Sequence, residues 1–206
     1  MPGQRPFLQL KPNSVIPSGM SWLTSDGYVR QVTWNEDAEL ITLMLWGPGD
    51  LILGSQATFE CRNETGTISH VSLESHAPTD AEILQALKRQ ISRSMEIMRI
   101  SRIRKADDRL LTMLRWLAAQ FGRVNSLGHS LSLDDMNLTH QVIAELTGLT
   151  RVTVTKSLNK YKSLGQAILM AHGDLLLPHR AGAEPGADPI TRSAIIEPWA
   201  SPSRLR

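Results

Sequence analysis

The chain has 206 residues, 41% hydrophobic and 20% charged, and its 22 Lys and Arg exceed its 20 Asp and Glu by a net charge of +2. Such a chain can fold as one or two globular domains, but so slight a positive balance does not by itself announce nucleic-acid binding, which must come from a local patch. A single cysteine, Cys61, excludes an internal disulfide or a four-cysteine iron–sulfur cluster within one chain and suits a reducing compartment.

Residues 1–20 contain Pro2, Pro6, Pro12 and Pro17 and read as an extended lead-in, too broken for a helix. The pattern then becomes β. Residues 28–34 and 39–46 are rich in β-branched and aromatic side chains and flank Asn35-Glu36-Asp37-Ala38, a plausible hairpin connection. Gly47-Pro48-Gly49-Asp50 makes a further turn, and residues 51–53 and 67–73 add short strands, the second with Ile68, His70 and Ser72 on one face. Between them, Arg62 with Glu60 or Glu64 reads as a surface ion pair in a polar loop, and Cys61 as a small half-buried side chain. By pattern alone, residues 1–78 form a small antiparallel sandwich or roll.

At Thr79 the period changes from two to that of a helix. Thr79 or Asp80 can cap the start, and Ile83, Leu84, Leu87, Ile91, Met95 and Met98 fall on one stripe. Within it, Leu84, Leu87, Ile91, Ser94 and Met98 alternate by threes and fours, the seam of a two-stranded coiled coil. Carried to Arg104, the helix would be about 39 Å long at 1.5 Å per residue. Residues 79–105 are therefore expected to pair with a second copy. Arg99, Arg102, Arg104 and Lys105 suit the helix C-terminus through its dipole rather than a phosphate.

Asp107 opens a further helix through Leu110, Leu111, Leu114, Leu117 and Phe121, stopped by Gly122. Residues 125–135 read as a polar connection in which Leu131 and Leu133 can add a short strand, and Asp134 and Asp135 lack any base, metal-spaced His or nucleophile beside them. Residues 138–162, LTHQVIAELTGLTRVTVTKSLNKYK, read as two helices crossing at a tight turn. Leu138, Val142, Ile143 and Leu146 recur at helical intervals, small Ala144 admits a close neighbour, and Gly148 stops the first helix in a left-handed conformation. Thr150 caps the second, which puts Val154, Leu158 and Tyr161 on one side and Arg151, Thr153, Lys156 and Lys160 near the other. Beyond it, two apolar runs flank His172-Gly173, a β-hairpin signal.

A helix-turn-helix followed at once by a hairpin is a winged arrangement, and residues 107–178 resemble the DNA-binding domain of the CRP/FNR family of bacterial transcription regulators. The T-R-V-T-V-T core at 150–155 is similar to that of cyanobacterial nitrogen regulators of the NtcA type. Upstream, GYVRQVTWNEDAELITLMLWGPGDLI resembles the family's jelly-roll sensor. The resemblance implies an α+β protein with a reduced, cupin-like antiparallel β-roll at 1–78, a long dimerisation helix at 79–105, a winged helix-turn-helix domain at 106–180 and a flexible tail at 181–206. It implies a homodimer on a palindrome of double-stranded DNA, with Arg151, Val152 and Lys156 reading each half-site, GTA inverted as TAC, and RNA polymerase as partner. Thr139, His140, Gln141, Thr150, Thr153 and Lys160 would set register on the backbone. Ser157 departs from the family pattern, which buries an apolar residue there and leaves Leu158 to carry the packing.

The sensor departs further. Cyclic-nucleotide-binding members pair a Glu with an Arg beside Ser or Thr, and no such pair follows Gly54. The roll also starts late, so that its first strands look missing, and no cofactor or metal is expected. A haem would need an axial ligand from His70 or His76. A small anion such as 2-oxoglutarate would need convergence of Arg30, Arg62, Arg89 and Arg93. Constitutive dimerisation or a protein partner fits better. No phosphate-cradling glycine loop, hydrolase elbow or zinc-spaced set appears, which leaves an enzyme without residues and a dimeric adaptor as the alternative to a DNA reader. No apolar leader or roughly 18-residue apolar run occurs, and a soluble cytoplasmic protein with no membrane partner is expected.

Overall fold

The computed structural model describes residues 7–54, 62–66, 71–170 and 173–179. The expectations that fall on Cys61, Glu60, His70, His172 and the tail at 181–206 lie outside them.

The N-terminal half is a pair of antiparallel sheets. In the first, β1 (Phe7–Leu10) pairs with β7 (Val71–Ser75), which pairs with β2 (Trp22–Asp26), itself beside β5 (Leu51–Ile52). In the second, β3 (Val29–Trp34) lies between β4 (Leu40–Trp46) and β6 (Arg62–Thr65). Ile16, Trp22, Val29, Met44, Trp46, Ile52, Val71 and Leu73 make the core between them, with Leu8 and Leu10 packed against it. The hairpin at Asn35 is as expected: Asn35 N–H donates to Glu39 O at 3.1 Å, and Asn35 Oδ1 accepts from the amides of Asp37 and Glu39. Ala38 there takes a φ of 58°, a left-handed conformation that costs a side chain bearing Cβ.

Two expectations for this half are corrected. The lead-in, read as merely extended, contains a strand, β1, and β2 follows it. Leu8 opposite Leu73 and Leu10 opposite Val71 give β1 its place, a pairing that four residues cannot announce locally. The polar loop around Arg62 is strand β6, in register with β3 from Val29 opposite Thr65 to Val32 opposite Arg62. Glu64 in it is no surface charge, being 3% exposed. Of the strand expected at 67–73, residues 67–70 lie outside the described residues, and the rest belongs to strand β7.

Helix α1 runs Asp80–Ser101 with a full capping box, Thr79 Oγ1 accepting from Glu82 N–H and the Glu82 carboxylate accepting from Thr79 N–H at 2.8 Å. At 22 residues it is about 33 Å long, shorter than expected because Arg102 N–H turns back to Arg99 O and Ile100 O and closes the last turn. The expected stripe divides. Ile83 is half-buried and the packed side runs through Ala86, Ile97 and Ile100, whereas Leu84, Leu87, Ile91, Met95 and Met98 stand 41–65% exposed, with Ser94 exposed among them. The Gly47–Asp50 turn ties this helix to the roll: Asp50 Oδ2 accepts from Gly47 N–H at 2.9 Å and from Arg93 Nη1 at 2.7 Å.

The second core gathers around α2 (Ala106–Phe121), which buries Leu110, Met113, Leu114, Trp116, Leu117 and Ala118. The stretch read as a polar connection forms a hairpin, β8 (Arg123–Asn125) and β9 (Gly128–Ser132). With β10 (Ile168–Leu169) and β11 (Asp174–Pro178) it makes a sheet in the order β10-β11-β9-β8. Leu131 on β9 is fully buried and fixes that strand in the centre. Leu45 of β4 belongs to this second core, and Phe121 meets Tyr28 edge-on with ring centroids 6.0 Å apart, so the two cores touch.

Candidate nucleic-acid interface

Helix α3 (His140–Thr147) and helix α4 (Arg151–Ser163) are set by their caps. Thr139 Oγ1 accepts from Val142 N–H and Thr150 Oγ1 from Thr153 N–H, each at 3.2 Å. Gly148 between them has φ 62° and ψ 36°, the left-handed stop that the sequence requires. Arg109 of α2 donates to Thr147 O at 3.1 Å and closes the end of α3. Leu138, Ile143, Ala144, Leu146, Val154, Leu158 and Tyr161 are all buried.

Asp107 fastens α4 to α2. Its carboxylate accepts from Ser157 Oγ and Lys160 Nζ, both at 2.5 Å, and its carbonyl accepts from Tyr161 Oη. Ser157, the family departure, is thus buried at 4% exposure with a partner of its own kind. The Lys160 contact, followed by that of Ser157, holds the Asp107 carboxyl below its ordinary 3.8, and Asp107 in turn raises Lys160. Burial, then the Asp107 charge, pushes Tyr161 up to about 12.

With Val154, Ser157, Leu158 and Tyr161 turned inward, the opposite face of α4 carries Arg151, Val152, Lys156 and Asn159, all exposed, with Thr155 half-exposed among them. Arg151 and Lys156 form no side-chain hydrogen bond or ion pair among the described residues. The expected DNA-facing residues therefore fall into three groups. Arg151, Val152 and Lys156 share the free face. Thr139, Thr150 and Thr153 serve the caps, Thr153 Oγ1 lying 2.9 Å from Thr150 Oγ1. His140 Nδ1 meets Thr155 Oγ1 at 2.8 Å and Gln141 Nε2 donates to Glu145 Oε1 at 3.2 Å, both at the exposed start of α3. Lys160 stands apart: it is exposed, but its amine is turned to Asp107 at 2.5 Å instead of standing free beside Lys156. Thr155 and Asn159 were missed, although their spacing of four from Arg151 signals the same face.

The wing is β10 and β11, with Gly173 at φ 81° beside Asp134, where a Cβ would lie 2.7 Å from Asp134 Oδ2. The four arginines weighed as an anion site are held by three acids: Arg30 and Arg62 meet Glu64 at 2.6 and 3.0 Å, Arg30 also meets Glu145 at 2.7 Å, and Arg89 and Arg93 meet Asp50 at 3.9 and 2.7 Å. His76 pairs with Glu82 at 3.1 Å. No group of three or more metal-ligating side chains occurs among the described residues, and no helix among them is long and apolar enough to cross a membrane. Between the roll and α1 runs a groove of about 890 Å³, walled on the helix side by Ile91, Ser94, Met95 and Met98.

The family model of the Crp-like helix-turn-helix domain matches residues 108–173. The regulatory protein CysR of Synechococcus elongatus is 34% identical over 179 residues, covering 80% of this chain and 83% of that protein. Among solved structures, a CRP-family transcriptional regulator from Thermus thermophilus superposes with a TM-score of 0.65 at 19% identity over 91% of this chain and 96% of its own. FixK2 from Bradyrhizobium japonicum does so with a TM-score of 0.67 at 16% identity, covering 86% and 94%.

Proposed function

The chain belongs to the CRP/FNR family of DNA-binding transcription regulators, not to a family of enzymes, and from that premise we propose that it binds a palindromic duplex as a homodimer. Arg151, Val152 and Lys156 read each half-site, GTA inverted as TAC. Arg151 takes guanine O6 and N7 with its planar fork, Val152 meets a thymine methyl, and Lys156 meets a base or a phosphate. Thr139, His140, Gln141, Thr150 and Thr153 set register on the phosphates. The observation that carries this reading is the split of α4: one face is locked on Asp107 and the core, and the other presents two unpaired cations to solvent.

Dimerisation runs through Leu84, Leu87, Ile91, Ser94 and Met98 on α1. Five large apolar side chains standing together on one exposed helix face, Met95 included, support a protein partner there, since monomers seldom leave such a patch open. The roll at 1–78, α1 within 79–105 and the reader at 106–180 act as three units of one regulator that contacts RNA polymerase. Control does not run through a cyclic nucleotide: Arg62 lies over the Trp34 ring at 4.9 Å and pairs with Glu64, and so is already engaged.

Titration of a labelled GTA/TAC palindrome between 50 and 200 mM salt tests the reading. A dimer neutralising 6 to 10 phosphates should weaken by roughly a thousandfold or more over that range. Absence of binding, or binding indifferent to salt, would reject it.

A further inference from the structure

A buried ionic chain joins the roll to the helix-turn-helix, and base reading makes no use of it. Arg30, on β3, is 8% exposed. Its Nε and Nη2 meet Glu64 Oε1 at 2.8 and 2.6 Å, while Nη1 reaches across to Glu145 Oε2 on α3 at 2.7 Å. The other oxygen of Glu145 accepts from Gln141 Nε2 at 3.2 Å. Arg62 completes the charge balance on Glu64 at 3.0 Å. The series therefore starts inside the roll and ends on an exposed side chain at the front of the reader.

Buried ion pairs add little net stability over apolar packing of the same volume, but they demand one geometry. Apolar contact between β4 and α3 would allow α3 to slide or rotate. A planar guanidinium shared by two carboxylates does not. The arrangement also leaves Arg151, Val152 and Lys156 exposed, so it places the reader without covering it.

The geometry points to Arg30 and Glu145 as positioning residues for DNA reading: through them the roll sets the angle of α3 and aims the Gln141 amide at the phosphate backbone. This rests on the reading of Gln141 as a phosphate contact. With one N–H of its amide held by Glu145, the second is left to donate outward and the carbonyl is kept away from the incoming anion. In a dimer, two readers must meet half-sites about one helical turn, roughly 34 Å, apart. A loosened α3 then costs spacing selectivity before it costs charge.

The test uses full-length Glu145→Gln, Arg30→Gln, their double variant and Arg30→Lys, each checked by thermal melting. The probes are a palindrome enriched by the wild-type chain from a randomised pool, the same palindrome with one base pair added between its half-sites, and a random duplex. Each glutamine variant should bind the palindrome roughly 2- to 30-fold more weakly, hold the random duplex within about twofold, since no reading-face cation is touched, and discriminate less against the added base pair. The double variant should be no worse than the weaker single, because both act through one contact, and Arg30→Lys should recover part of the loss. Unchanged affinity and spacing preference in Glu145→Gln, equal losses on palindrome and random duplex, or additive losses would each overturn the inference. Should Arg30→Gln fail to fold, Glu145→Gln decides alone, since it leaves the Arg30–Glu64 contact in place. A wild-type chain that enriches no sequence rejects the DNA reading itself, an outcome distinct from variants that match a binding wild type.

Discussion

Helices α1 and α4 each bury one side and leave the other in solvent, but the free sides differ in kind. On α1 it is apolar, Leu84, Leu87, Ile91, Met95 and Met98; on α4 it is Arg151, Val152, Lys156 and Asn159. Water penalises the first in proportion to its apolar area, an area that only another apolar surface relieves. It penalises the second hardly at all, so that face gains from a polyanion by releasing the polyanion's counterions. One helix calls for a protein surface and the other suits a nucleic acid; on the proposed reading, their attachment to a common scaffold makes the first a means of doubling the second.

The comparison breaks most severely if the apolar face is charged. Leu87→Glu should halve the mass measured in solution and weaken palindrome binding by roughly 100-fold or more, the loss expected when two linked sites become one. An unchanged mass would show that α1 does not pair along this seam. Next in size, Arg151→Ala should remove roughly 1 to 3 kcal/mol of base discrimination while salt-sensitive binding to any duplex persists. A variant that still prefers the wild-type palindrome would rule out Arg151 as a base reader.

Asp107→Asn sharpens the contrast from the buried side of α4. It should lower the melting temperature near pH 7 by a few degrees, with little change in sequence preference. The sign follows from the shift: Asp107 has a folded value below its ordinary 3.8, so its stabilisation is present above that pH and fades as acid carries the pH through the lower folded value. The gap between wild type and variant should therefore narrow as the pH falls below 3.8, as calorimetry would read. At the alkaline end Tyr161, raised from 10.0 to about 12, stabilises the fold below pH 10 and loses that contribution between the two values. The smallest effect is expected for Lys160→Ala, which should move affinity by less than about threefold on every duplex alike. A loss confined to the palindrome would restore it to the reading face.

The reader domain was legible because its signals act over three or four residues. Thr139, Gly148 and Thr150 each perform their function on the turn they occupy, and no distant partner is needed to recognise them. Strand β6 had no such signal. Arg62-Asn63-Glu64-Thr65 is as polar as any loop, and Glu64 is buried because Arg30, 34 residues away, stands opposite it, with Arg62 on its other oxygen. Strand β1 owes its existence to β7 in the same manner. The partner of Lys160 was hidden for the same reason: its charge was visible, but Asp107, 53 residues earlier, was not a visible neighbour. The apolar ridge on α1 was legible from its heptad spacing, but its separation from the packed side was not, because Ile83 lies one residue from Leu84 and only packing against the roll tells them apart.

The groove beside α1 sets a condition on how pairing of copies can be examined. Ile91, Ser94, Met95 and Met98 wall that groove and also lie on the apolar ridge, so replacing any of them alters two surfaces in a single stroke, and a phenotype there has two parents. Leu84 and Leu87 line neither this groove nor the smaller cavity of about 160 Å³ beside Arg89. Those two leucines are places where the proposed association of copies can be perturbed while the hollow in each copy keeps its shape.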